Sequence, residues 1–275
     1  MHLVEWFLLR APQLLVTILV VAVLVAAMHL GSVAERRARR RSGNPATGTS
    51  DEGYIVSGAF GLMALLLGFT FSLAIDRYDH RRALTLEEAN AIGTSYLRAQ
   101  MLEEPSRSRL SALLQDYAAN RLALARAEDP ATQNGLMAAT DRAQIQLWRG
   151  TIEAVRPVEN STISRPLIES MNATIDAGAA RVAARRAHVP PRVMGTLLLY
   201  MMISAFILGF VGTRSGWKPA PTVLLALFAL AYQLIIDIDR PTGGSIREQQ
   251  APIEDVLAMM RTNAPASFRS APALR

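Results

Sequence analysis

Cysteine is absent from the 275 residues, which excludes disulfides, thiolate metal sites and a cysteine nucleophile. Charge is scarce: charged residues make up 19% of the chain against 51% hydrophobic, too apolar a balance for an average soluble domain. Strand-like alternation of apolar and polar residues is missing throughout. So are a glycine-rich phosphate loop, a nucleophile elbow and a zinc motif. The four histidines, His2, His29, His80 and His188, have no ligand spacing among them. No catalytic residue, cofactor or metal is therefore expected, and nothing argues for an enzyme.

A formal charge of +6 and a pI near 10.3 raise the question of nucleic acid. The segment Asp76–Arg192 holds 16 arginines against 14 acids, too even a balance for a basic binding face. Much of the remaining excess lies in Arg36, Arg37, Arg39, Arg40 and Arg41, directly after an apolar stretch. A basic run in that place reads as a topology signal, and no nucleic-acid partner is expected.

What the chain does have is four apolar blocks. Residues 11–30 give 20 positions without a charge, 53–75 give 23 and 193–213 give 21. Residues 219–236 add 18, and the run continues to Ile238 with Asp237 inside its last turn. A hydrocarbon core of ~30 Å needs about 20 apolar residues at the helical rise. Backbone in lipid must satisfy its own hydrogen bonds, so each block should be a helix. The sequence thus predicts an all-α membrane protein with four transmembrane helices and a helical soluble insert between the second and third spans. Its parts are a first hairpin (1–75), the insert (76–192), a second hairpin (193–238) and a polar tail (239–275).

Ser32-Val33-Ala34 resembles a signal-peptide cleavage site. The stretch before it carries Glu5 and only Arg10 as a base, and the arginine run follows; that flank pattern belongs to a retained helix. For orientation, one set of short loops holds the five arginines with Arg214 and Lys218, and the other holds Arg10, Arg240 and Arg247. That count places the arginine loop in the cytoplasm and the insert outside, whereas counting the bases that flank the insert reverses the balance.

Within the insert, Ala89, Ile92, Tyr96 and Ala99 fall on one helical face, on a helix continuing directly from the second span. Leu110, Leu113, Leu114, Tyr117 and Leu124 give a second stripe. Ile145, Trp148, Ile152 and Val155 give a third, and Leu167, Met171, Ile175, Gly178 and Val182 a fourth. Burying all four in one helical bundle is the simplest arrangement. Asp129-Pro130 marks a turn, and Ser164 with Pro166 reads as a helix start. In the tail, Ile253, Val256, Leu257 and Met260 predict a short amphipathic helix over 252–263, lying on the membrane or on the insert. The last dozen residues, rich in Ala, Pro and Ser, are expected to be disordered.

The second span is the most informative. Gly58, Gly61, Gly68 and Ser72 put small residues on one face. Such a face lets two helices approach closely. Repeated around an oligomer axis, the same helix could instead line a pore, with Phe60, Leu67 and Phe71 as a hydrophobic constriction. Charge clusters close both even-numbered spans: Asp76, Arg77, Asp79, Arg81 and Arg82 follow the second, and Asp237, Asp239 and Arg240 end the fourth. Both spans finish on one side of the membrane, so the clusters can pair across helices or draw anions into a vestibule. Glu87 and Glu88 point about 100° apart on a helix, so one should be solvated and the other paired.

The run LLLGFTFSLAIDRYDHRR, followed by EEANAIGTSYLRAQML within Gly61–Leu102, resembles the bacterial bestrophin-like domain family. The DIDRP block at Asp237–Pro241, with glycine soon after, is similar to the block ending that family's last span. The family name implies a relationship to bestrophins, pentameric anion channels whose second span lines the pore. The resemblance therefore implies a homo-oligomer in a bacterial inner membrane, with small anions as its cargo. The other reading is a non-conducting sensor or scaffold whose insert binds a partner.

Overall fold

The computed structural model describes residues 13–42, 50–212, 219–242 and 244–269. Among them the chain forms eight α-helices: α1 (Gln13–Ser42), α2 (Ser50–Ala99), α3 (Ser106–Arg126), α4 (Pro130–Val155), α5 (Ser164–Arg186), α6 (Pro191–Gly212), α7 (Pro219–Asp239) and α8 (Ala251–Thr262). No strand occurs among the described residues. Prolines stand where a missing N–H costs nothing, at the first positions of α4, α6 and α7. None falls between Asp51 and Glu104, so nothing interrupts the hydrogen bonding of the 50-residue α2. The chain divides into two compact units, one ending at Arg77 and resuming over His188–Ile246, the other made of Tyr78–Ala187 and the chain from Arg247 onward.

Unit 1 holds the four apolar helices, each with a segment long and apolar enough to cross a membrane. Its outer surface is lined with Leu, Ile and Phe, among them Leu14, Ile18, Leu62, Phe69, Leu199 and Leu230. In water such a surface would be a liability, and in lipid it is solvation. The tightest contact joins α1 to α6. A Cβ on Gly31 would strike the Phe206 carbonyl, and one on Gly209 would strike that of Met28. The Ser32 hydroxyl stands beside both Met28 O (3.2 Å) and Gly209 O (3.0 Å) as acceptors. Small residues here let two backbones meet, the usual route to helix association in lipid.

Unit 2 contains a separate core. Ala89, Ile92, Tyr96, Leu110, Leu114, Tyr117, Leu167 and Met171 are buried in it, as three of the four predicted stripes require. The third stripe does not follow, apart from the half-buried Val155. On α4, Ile145, Trp148 and Ile152 are exposed, and the buried side presents Leu147, Gly150 and Ala154 instead. Gly150 explains the choice, because Leu113 and Leu110 of α3 occupy the space where a side chain would be. Ser164 is also not the N-cap: Ile163 holds that place, and the Ser164 hydroxyl donates to the Val158 carbonyl. Asp129 does cap α4, accepting the Thr132 N–H at 2.8 Å.

The tail helix α8 lies in this core rather than on a membrane, with Ile253, Val256, Leu257 and Met260 all buried. Beyond it, Pro265–Arg269 forms a 3-10 turn that sets Phe268 edge-on against Tyr96 at 6.5 Å, contrary to the disorder expected of the final dozen residues; positions 270–275 lie outside the described residues. The Tyr96 hydroxyl, next to Met260 O (3.0 Å) and Asn263 O (2.6 Å), fastens the end of α8 to α2. Tyr96→Phe should cost about 0.5–1.5 kcal/mol of stability, the usual value for one such bond. Denaturant unfolding of the detergent-solubilised protein checks this.

Candidate functional site

In unit 1, α2 has two unlike faces. Met63, Leu67, Thr70 and Ala74 are buried, spaced by four, three and four as one helical face requires. Phe60 joins that side, its ring stacked on Phe228 of α7 at 5.6 Å. The Tyr200 hydroxyl on α6 donates to Ala59 O at 3.3 Å and fixes the helix rotation. The opposite face carries Tyr54, Gly58, Gly61, Leu65, Gly68 and Ser72, all exposed. A Cβ on Gly58, Gly61 or Gly68 would meet nothing within 4 Å. Phe71 sits at one edge of this face and Phe69 at the other, both exposed. Of the predicted pore-lining residues, then, Gly61, Gly68 and Phe71 are open, whereas Phe60 and Leu67, two of the three expected in the constriction, turn into their own chain. The spacing of large residues had identified a face, but not the direction it looks.

At the end of α7, the DIDRP block acts on the backbone. Asp237 accepts the Ser245 N–H at 2.8 Å, and Gly244 lies so close that a Cβ would come within 2.6 Å of the carboxylate oxygen. Asp239 accepts the Val189 N–H at 2.9 Å and lies 3.5 Å from His188 Nδ1. Both carboxylates and Arg240 are buried. The two acids thus tie the chain leaving the last span and the chain entering α6 to the end of α7, supplying acceptors for buried backbone donors. Of the cluster after the second span, Asp76 is exposed and Arg77 half-buried.

The rest of that cluster belongs to unit 2. Arg82 and Asp79 form an exposed pair at 4.0 Å, worth little in water. Arg81 is buried and reaches Glu248 at 2.9 Å, a partner 167 residues further on. Nearby, Glu88 is fully buried between two cations. Arg121 engages it through Nε and, at 3.2 Å, through Nη2, and Arg181 Nη1 donates to it at 2.7 Å. Tyr117 adds a hydroxyl donor at 3.2 Å. Burial would push the Glu88 carboxyl up, but the two guanidiniums overcome it and hold the group below its ordinary value. Glu87, one position earlier, is exposed, as the 100° separation of neighbours predicts.

The sequence profile of the bestrophin-like domain matches residues 12–253. The chain belongs to the bestrophin-like family. Solved structures agree on the fold. A crystal structure of a bacterial bestrophin homologue from Klebsiella pneumoniae superposes with a TM-score of 0.65 at 16% identity, covering 94% of this chain and 99% of that one. A variant of the same protein gives 0.66 at 14% identity, covering 92% and 97%. Among curated protein sequences, none matches.

For this bestrophin-like chain, the family blocks thus play different physical parts. LLLGFTFSLAIDRYDHRR supplies both the buried and the open face of α2, and DIDRP closes the loop after α7. Two features escaped the sequence. Gly31 and Gly209 lie 178 positions apart, and no short motif announces that each admits the other's helix. Glu88 and Arg181 lie 93 apart, and only a fold can bring such a pair together.

Proposed function

We propose that copies of this bestrophin-like chain assemble around an axis lined by the open face of α2 and carry small anions across a bacterial inner membrane. The observation that supports this is the unoccupied glycine face. The chain makes its own close helix contact through Gly31 and Gly209, yet leaves Gly58, Gly61 and Gly68 with nothing against them. Leu65 stands at the centre of that face and forms the constriction, with Phe71 at its edge; an apolar ring of this kind gates by dewetting.

Chloride flux from liposomes holding the purified protein is the test. Leu65→Ala should raise flux several-fold, and Phe71→Ala should raise it less. A ring of more than two chains that passes no anion would overturn conduction. The sensor or scaffold reading would then lead, supported by the unbroken run of α2 from Ser50 to Ala99.

A further inference from the structure

Within unit 2, α4 is apolar on two sides and only one is covered. Ile145, Trp148 and Ile152, spaced by three and four, are 54%, 38% and 46% exposed. Single exposed apolar residues are ordinary, but three large ones on one stripe, outside the spans, mark a contact surface. The stripe has a charged border. Arg142, Arg149 and Arg156 recur every seven residues and are all exposed. Among the described residues, no acid pairs with any of the three. Apolar residues at a and d positions with charges beside them are the pattern of a helix that lies against another helix.

The same unit offers the matching surface. A groove of about 370 Å³ runs between α2 and α5. Ala91, Thr94, Ala173 and Ala177 line it, small enough to let a helix come close, and the exposed Glu87 and Glu169 belong to the same lining. Among the described residues, the exposed Arg165 is the one cation paired with Glu169. Arg98, also in the lining, is already engaged with Pro166 O at 2.6 Å. Shape and charge therefore fit together: a large apolar stripe bordered by arginine, and a small-residue groove bordered by glutamate.

We infer that the α4 stripe of one copy seats in the α2–α5 groove of the next, with Arg142 and Arg149 toward Glu87 and Glu169. Stripe and groove are different surfaces, so the contact is head-to-tail, and each copy uses both. Contacts of that kind do not give two-fold dimers, and where the rotation between copies closes they give rings. The inference rests on the assembly proposed above and names the surface that holds it together outside the spans.

The natural absence of cysteine makes the test clean. In the full-length protein, Ile145→Cys and Ala173→Cys are combined and treated with a short bismaleimide. The expected result is a ladder of covalent multimers ending at the mass that light scattering gives for the native particle. Links within one chain add no rung. Reversing the three arginines to glutamate should remove the ladder, and adding Glu87→Arg with Glu169→Arg should restore it. A native ring that yields no ladder overturns this joint and leaves the assembly intact. Dimers from Ile145→Cys alone also overturn it, because they place stripe against stripe. A monomeric native protein overturns the joint and the assembly together.

Discussion

Glu88→Gln should destabilise unit 2 by about 3–5 kcal/mol, the loss expected when one partner of a buried ion pair is removed. Glu88 is fully buried and answers two guanidiniums that are 97% and 99% buried themselves. Glutamine keeps the shape but leaves two positive charges without a counter-ion in a medium that solvates them poorly. Removing the cations as well tests this cause. Glu88→Leu combined with Arg121→Met and Arg181→Met should recover much of the loss, since apolar replacement of an entire buried network is often neutral. Chemical denaturation in detergent, followed by near-ultraviolet circular dichroism, reads both variants. If Glu88→Gln unfolds at the native midpoint, the network does not stabilise unit 2.

The same group sets an acid limit. Because the folded pKa of Glu88 lies below its ordinary value of 4.5, the folded state favours the carboxylate more than the unfolded state does. The resulting stabilisation is fully present above pH 4.5 and is lost as pH falls below it through the folded value. The unfolding midpoint should fall on acidification in the native protein and change less in the Glu88→Leu, Arg121→Met, Arg181→Met variant.

These residues also mark what sequence periodicity can and cannot carry. The apolar blocks became α1, α6, α7 and the first half of α2, because length and uniform apolarity leave lipid-spanning helices as the one solution. The stripes Ala89-Ile92-Tyr96-Ala99 and Leu110-Leu114-Tyr117 went into the core for the same local reason: a helix places residues three and four apart on one side. Periodicity identifies a face without saying what covers it. Ile145, Trp148 and Ile152 have core spacing, yet Gly150 on the other side of α4 admits α3 more closely and takes the core. Phe60 and Leu67 show the same limit within a span. Chemistry assembled from distant positions leaves no local signature, and Glu248 approaching Arg81 and Arg185 (2.9 and 3.7 Å) is the plainest case.

Glycine substitutions in unit 1 separate contacts made within the chain from contacts made beyond it. Gly209→Ala should cost about 1–3 kcal/mol or more, since overfilling a close-fitting site forces its surroundings apart. Here the upper end is expected. The atoms in the way are the Met28 backbone, which cannot rotate aside as a side chain can, so α1 and α6 must separate along their length. That movement also strains the Ser32 hydroxyl contact with Gly209 O. Gly31→Ala meets the Phe206 carbonyl and should behave alike. Gly61→Ala is the counterpart, because its Cβ enters open space and the protomer should lose no stability. Survival of folded protein through a heat step, read by size exclusion in detergent, ranks the three. Equal survival of Gly209→Ala and Gly61→Ala would remove the α1–α6 contact as a determinant of the fold. Full survival of Gly61→Ala together with altered anion flux would place the open face of α2 on the conducting path, since a methyl group that touches nothing in its own chain can act only on what lies across from it.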